Sequence, residues 1–216
     1  SEMCIRDSKN IGGKQICNKF SLSISRGERI AMVGANGVGK TTLLNILFRD
    51  LAPDEGTIKR GTNWITASFE QNKGSLDLDA SLQENLAGDP DIALPGRSDQ
   101  ILVKGVPRHV VGYLKEFLFD PSTLRAPVRS LSGGEKSRLI LAKLMAKTSN
   151  LLLLDEPTND LDIETLDLLQ ELLCEFDGTI LLISHDRDFV ERVATRVLFL
   201  EGNGRIIDFT GGYETY

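Results

Sequence analysis

The segment Gly34-Ala35-Asn36-Gly37-Val38-Gly39-Lys40-Thr41 fits the pattern GxxxxGK[ST], which serves one chemical purpose when it stands between a strand and a helix. Its glycines allow a turn tight enough for successive backbone N–H groups to converge on one anion. The helix N-terminus behind them adds partial positive charge. Gly34, Ala35, Asn36, Gly37, Val38 and Gly39 are therefore expected to cradle phosphates, with Lys40, Thr41 and Thr42 at the start of the helix. Lys40 would reach the β- and γ-phosphates of a nucleoside triphosphate and the Thr41 hydroxyl would ligate Mg²⁺. Far downstream, Leu151-Leu152-Leu153-Leu154 ends in Asp155-Glu156. Two carboxylates at the end of a buried strand suit two tasks: Asp155 to hold Mg²⁺ through water, Glu156 to orient or deprotonate a water attacking the γ-phosphate.

A second candidate anion site lies in Leu131-Ser132-Gly133-Gly134-Glu135. Ser132 and Glu135 have the S-x-x-E spacing of a capping box, which needs no function beyond starting a helix. A serine hydroxyl, two glycines and an open helix N-terminus also make a phosphate site. Two such devices for one nucleotide suggest that each copy of the domain supplies half of a composite pocket.

Those residues need elements to position them. Phe20, Leu22 and Ile24 alternate with polar residues as a half-buried strand does, and Arg29 to Val33 reads as a second strand. Further strands are expected near Ile58, from Trp64 to Phe69, at Leu151 to Leu154 and Ile180 to Ile183, and near Val197 and Ile206. Helices are expected over 41–48, 82–86, 109–119 and 136–147, the middle ones punctuated by Pro90, Pro95, Pro107 and Pro121. Residues 91–106 show no clear period and are expected to form a mobile loop. The fold class that follows is α/β, a mixed sheet with a parallel core, an antiparallel β edge and a helical subdomain.

Composition bounds the rest. A chain of 216 residues with 41% hydrophobic content accommodates one substantial domain with a subdomain. The expected division is a single domain over 9–216, with a core of 9–75 and 148–216 and a helical part of 76–147. Residues 1–8 carry no apolar period and are read as a foreign start. No apolar run approaches the ~20 residues of a membrane span, so a cytoplasmic protein without membrane partners is expected. Cys4, Cys17 and Cys174 stand far apart and read as unpaired thiols. The net charge of -6 argues against a wide nucleic-acid footprint.

Taken with Gln71, Asn159-Asp160-Leu161-Asp162 and Ser184-His185-Asp186, the order of these motifs resembles that of ABC ATPases from about Gly12 to Tyr216. The resemblance implies a P-loop NTPase cassette that takes ATP and Mg²⁺. It implies that Gln71 senses the γ-phosphate and Mg²⁺, that Ser132, Gly133 and Gly134 contact the γ-phosphate bound by an opposing cassette, and that Asp162 lies at that interface. His185 would steady the γ-phosphate and the attacking water, whereas His109 reads as a surface or packing residue. The family stacks adenine on an aromatic side chain where this chain has Ile11. Stacking of a base on an aromatic ring is worth ~1–3 kcal/mol, so base recognition should be looser while phosphate binding stays intact.

The wording DEPTNDLD, SHDRDFV and the terminal Gly211-Gly212-Tyr213 resemble the ABC-F class, and within it the second cassette of the Uup type. That resemblance implies a soluble twin-cassette protein of which this chain is a fragment. Its expected partners are a second cassette, the ribosome, and DNA through a C-terminal extension beyond Tyr216. The nucleotide-binding subunit of a membrane transporter and a DNA-associated ATP clamp are the alternatives. Only residues 76–129 separate the Gln71 region from the Ser132 motif, which is short for a transporter's docking region.

Overall fold

The computed structural model describes residues 3–11, 14–48, 55–59, 63–69, 74–159 and 161–210, with the backbone path alone for 3–11, 14–20 and 55–59. The chain divides into two compact units: one of residues 1–64, 151–157 and 176–216, the other of 65–150 and 158–175.

In the first unit, β1 (Met3–Ile11), β2 (Lys14–Ile24), β3 (Arg29–Gly34), α1 (Lys40–Phe48) and β4 (Glu55–Lys59) come in order. The sequence assigned no element to the opening residues, yet β1 pairs antiparallel with both β2 and β4, Ile5 lying opposite Leu22 and Ile58. Mixed apolar and polar residues suffice for a strand flanked on both sides, because the ladder is made by the backbone. The second unit contributes β5 (Thr66–Ser68), shorter than the expected 64–69, and then α2 (Leu82–Ala87).

Residues 91–106 depart from the expected loop. They hold β6 (Ala93–Leu94), β7 (Arg97–Val103) and the start of β8 (Val106–His109), a three-stranded antiparallel sheet in the order β6-β7-β8. Two turns explain it. Pro95-Gly96, with Gly96 at φ +76°, has the residues of a type II turn. Lys104 and Gly105, at φ +49° and +81°, make a two-residue hairpin whose twist matches the flanking strands. Ile101 is fully buried while Arg97, Ser98 and Asp99 are exposed, so the strand buries one end and lacks the alternation that would betray it.

Next come α3 (Val110–Glu116), α4 (Gly133–Ala146), β9 (Leu151–Asp155), α5 (Ile163–Glu175), β10 (Thr179–Ile183), α6 (Arg187–Val193), β11 (Arg196–Gly202) and β12 (Arg205–Thr210). His109 is the N-cap of α3, its Nδ1 accepting from the Val111 N–H. In the first unit the strand order is β12-β11-β3-β10-β9. All neighbours there are parallel except β11 and β12. Leu151 to Leu154 and Thr179 to Ile183 are buried throughout, as strands covered on both faces must be. Leu43, Leu44 and Leu47 of α1 close the core with Leu153, Leu181 and Leu198. Among the described residues no helix is long and apolar enough to cross a membrane.

The hairpin at Lys104-Gly105 is testable. Gly105→Ala meets no atom within 4 Å, so its cost is purely that of a left-handed backbone. It should lower stability by about 1–2 kcal/mol in urea unfolding, whereas Lys104→Asn, which tolerates positive φ, should leave it level or slightly raised. Indifference of the midpoint to Gly105→Ala would mean that no such hairpin forms.

Candidate active site

The register of the parallel strands fixes where the polar residues emerge. Asp155 pairs with Ile183, and Ile183 with Met32, so β9 and β10 end together, β3 runs two residues further to Gly34, and the three following loops leave the same edge of the sheet. This is the carboxyl end, where open α/β sheets bind ligands. Gly34 presses so closely on β11 that an added Cβ would lie 2.5 Å from the Leu200 carbonyl oxygen. Gly37 and Gly39, at φ +77° and +108°, take backbone conformations that other residues rarely adopt. The loop then enters α1 through the Leu43 N–H bond to the Gly39 carbonyl.

Lys40 is only 7% exposed, and its ammonium donates to the carbonyls of Gly34 (2.7 Å) and Ala35 (3.1 Å). Burial pulls its pKa below the ordinary lysine value, opposed by the nearby carboxylates of Glu156 and Asp155. The Thr41 hydroxyl donates to Asp155 Oδ2 at 2.8 Å. Glu156 has φ +45°, a sparsely populated conformation for a non-glycine residue, and its N–H bonds the Ile183 carbonyl. His185 Nε2 stands 2.9 Å from Glu156 Oε1, and Glu156 Oε2 accepts from the His185 backbone N–H at 3.4 Å.

Within the first unit, then, Lys40, Thr41, Asp155, Glu156 and His185 come together. The remaining candidates lie in the second unit. Ser132 caps α4, accepting from the Glu135 N–H while Glu135 accepts from the Ser132 N–H, so the capping box is fully formed. The helix therefore begins at Gly133, three residues before the expected start. Asp162 caps α5 through the Thr165 N–H and hydrogen bonding there holds its carboxyl below the usual carboxylate range. Its Oδ2 would lie 2.6 Å from a Cβ at Gly134, which ties that glycine, and not Gly133, to a close approach absent from the motif's sequence signal. Gln71 and the structure around it lie outside the described residues, as does Asp160.

A family model described as ABC transporter matches residues 17–159. The chain belongs to the ABC transporter family. It is a P-loop ATP-binding cassette of the ABC ATPase class. It is 47% identical over 206 residues to the ATP-binding protein Uup of Caulobacter vibrioides, which covers 95% of this chain and 33% of that protein. It is 49% identical over 203 residues to the Uup protein of Escherichia coli, covering 94% of this chain and 31% of the relative. A putative ATP-binding protein of Bacillus subtilis, YdiF, is 39% identical over 93% of this chain and 29% of its own length. The likeness bears out the resemblance read from the motifs. The chain spans about a third of the length of these relatives.

The donor set fits the cation that the family implies. A threonine hydroxyl beside a carboxylate offers hard oxygen ligands, as Mg²⁺ prefers.

The depressed pKa of Lys40 has a stability consequence. Between the folded value and the ordinary 10.5, the unfolded chain holds more protons, so stability rises with pH in that window. The cost of burying the charged ammonium is present in full below the folded pKa and fades above it. Without nucleotide, the chain should therefore gain stability relative to Lys40→Met as pH is raised from neutral towards about 10. A constant difference in melting temperature would remove burial as the cause.

Proposed function

We propose that this cassette binds Mg-ATP and hydrolyses it to ADP and phosphate at a pocket completed by a second cassette, as half of an ABC-F protein that works on the ribosome. The observation that carries the reading is the convergence at the strand ends of buried Lys40, the Thr41–Asp155 hydrogen bond and the close approach of His185 Nε2 to Glu156 Oε1.

In this reading Gly34, Ala35, Asn36, Gly37, Val38 and Gly39 present N–H groups to the phosphates, with Thr42 beside them on α1. Lys40 exchanges the Gly34 and Ala35 carbonyls for β- and γ-phosphate oxygens, which compensate its charge better than two neutral acceptors do. Mg²⁺, held by Thr41 and Asp155 with Gln71, would neutralise charge developing on the phosphates. Glu156 accepts the proton of the attacking water, and His185 keeps Glu156 and the γ-phosphate in line. Ser132, Gly133, Gly134 and Asp162 belong to the face that serves the opposing cassette. The size of the relatives, about three times this chain, supports a twin-cassette protein. The ribosome rests on the ABC-F wording of the motifs and the likeness to Uup proteins, with DNA and membranes as competing partners.

Glu156→Gln keeps the shape of the side chain but cannot accept a proton. At saturating ATP it should release phosphate roughly 10²–10⁴-fold more slowly while binding ATP as before. In a twin-cassette protein the same change should hold large ribosomal subunits in the pellet with ATP more than with ADP. Parent-level turnover would take the base role from Glu156, and co-sedimentation with DNA or membranes instead would replace the ribosome.

The shared pocket has its own signature. Specific activity of the isolated chain should rise with protein concentration, and Ser132→Arg should abolish it. Mixing Ser132→Arg with Lys40→Ala should restore activity, because one site in the mixed pair joins an intact phosphate loop to an intact serine motif. Flat specific activity on dilution, with no recovery on mixing, would make catalysis intramolecular.

A further inference from the structure

The second unit contains an ion pair that none of the chemistry above uses. Lys143 and Asp89 are buried, with side chains 3% and 4% exposed, and Nζ lies 3.1 Å from Asp89 Oδ2. The same ammonium donates to the carbonyl and the hydroxyl of Ser75, at 3.3 and 3.1 Å. All three of its donors are thereby used. Asp89 Oδ1 accepts from the Asp91 N–H, and Lys147 bridges Asp89 and Asp91.

Lys143 sits in the last turn of α4, the helix whose N-cap is Ser132. Ser75 begins a strap that is pinned along its length. Asp77 exchanges two hydrogen bonds with the buried Asn85 side chain. The carbonyls of Leu78 and Ala80 accept from the N–H groups of Arg129 and Val128, Ser81 bridges Pro127, and Asp79 pairs with Arg129. Residues 127–130 lead directly into Leu131 and Ser132. One strap thus holds both the approach to the serine and the far end of its helix.

A buried ion pair is weak grounds for stability, since hydrophobic replacement is often neutral, and its best-attested use is to fix one geometry. Here the geometry is sensitive. Lys143 lies about 15 Å along α4 from the helix start, so a tilt of about 10° would carry Ser132 by roughly 2–3 Å. Misplacement of about 1 Å at a reacting centre can cost a hundredfold in rate.

We propose that Lys143 and Asp89 are positioning residues for the serine motif, fixing α4 to the 75–81 strap so that Ser132 is presented in one orientation to the opposing nucleotide. The inference rests on the shared-pocket reading. Its consequence is a loss that acts in trans. Lys143→Met/Asp89→Asn strands no buried charge and preserves volume. The double variant should unfold cooperatively and bind ATP within about twofold of the parent, yet lose at least about tenfold in activity. Mixed with Lys40→Ala it should recover as Ser132→Arg does, because its own phosphate loop is sound. Ser75→Ala, an exposed change that removes one acceptor, should show the same pattern as a loss of a few-fold, and decides the matter if the double variant does not fold. Undiminished activity in both variants overturns the proposal. So does failure to recover on mixing while the Ser132→Arg control recovers. If that control itself fails to recover, the shared pocket falls and the positioning role falls with it.

Discussion

The lateral register of four parallel strands sets the site. With Asp155, Ile183 and Met32 in adjacent pairing, β9 and β10 end at one level, β3 continues two residues further to Gly34, and the Leu200 carbonyl of β11 abuts Gly34 as the phosphate loop turns away. A slip of one residue would swap side chains between the two covered faces and draw Asp155 into the buried run, so the same burial that makes the core also prevents the polar ends from sliding. The leucine run of β9 and the placement of Asp155 are one constraint. A side chain at Gly34 would break the contact between loop and sheet.

On that frame the charges are arranged without full compensation. Lys40 leans on two neutral carbonyls, burial lowers its proton affinity, and the carboxylates of Asp155 and Glu156 act against that tendency. Thr41 and Asp155 satisfy each other directly. Glu156 sits in an uncommon backbone conformation with His185 Nε2 2.9 Å from one of its oxygens. Backbone strain concentrates at functional positions because the surroundings hold it there. Each of these contacts is one that phosphate oxygens, a cation or a water could replace with a stronger one.

The parallel core and the phosphate loop were legible in the sequence because few residue types can do what they do. Continuous leucine runs suit only elements buried on both faces, and glycines ahead of a lysine and a threonine have few other uses. The β6-β7-β8 sheet was missed because Arg97 to Asp99 are polar and only Ile101 is fully buried, so period-two patterning is absent. Its signal lay in the turns: Pro95-Gly96 and Lys104-Gly105 sit where chain reversal needs positive φ. Strand β1 was invisible for another reason, since backbone pairing on both sides asks little of its side chains. The proximity of Asp162 to Gly134 could not have been read, because it depends on how α5 packs on α4 and not on either motif alone.

That last contact changes how the serine motif should be understood. Gly133 and Gly134 look in sequence like backbone freed to approach an anion, but at Gly134 the missing side chain is already required by the Asp162 carboxylate. Asp162 is itself fixed by capping α5 through Thr165, and Ser132 by the capping box with Glu135. The Asp162 carboxylate therefore lies against the first turn of α4, where the partial positive charge of the helix favours it. Gly133 is different: an added Cβ there would meet nothing within 4 Å. The open face of the motif is thus on the side of Ser132 and Gly133, while Gly134 faces Asp162 and its missing side chain leaves room for that carboxylate.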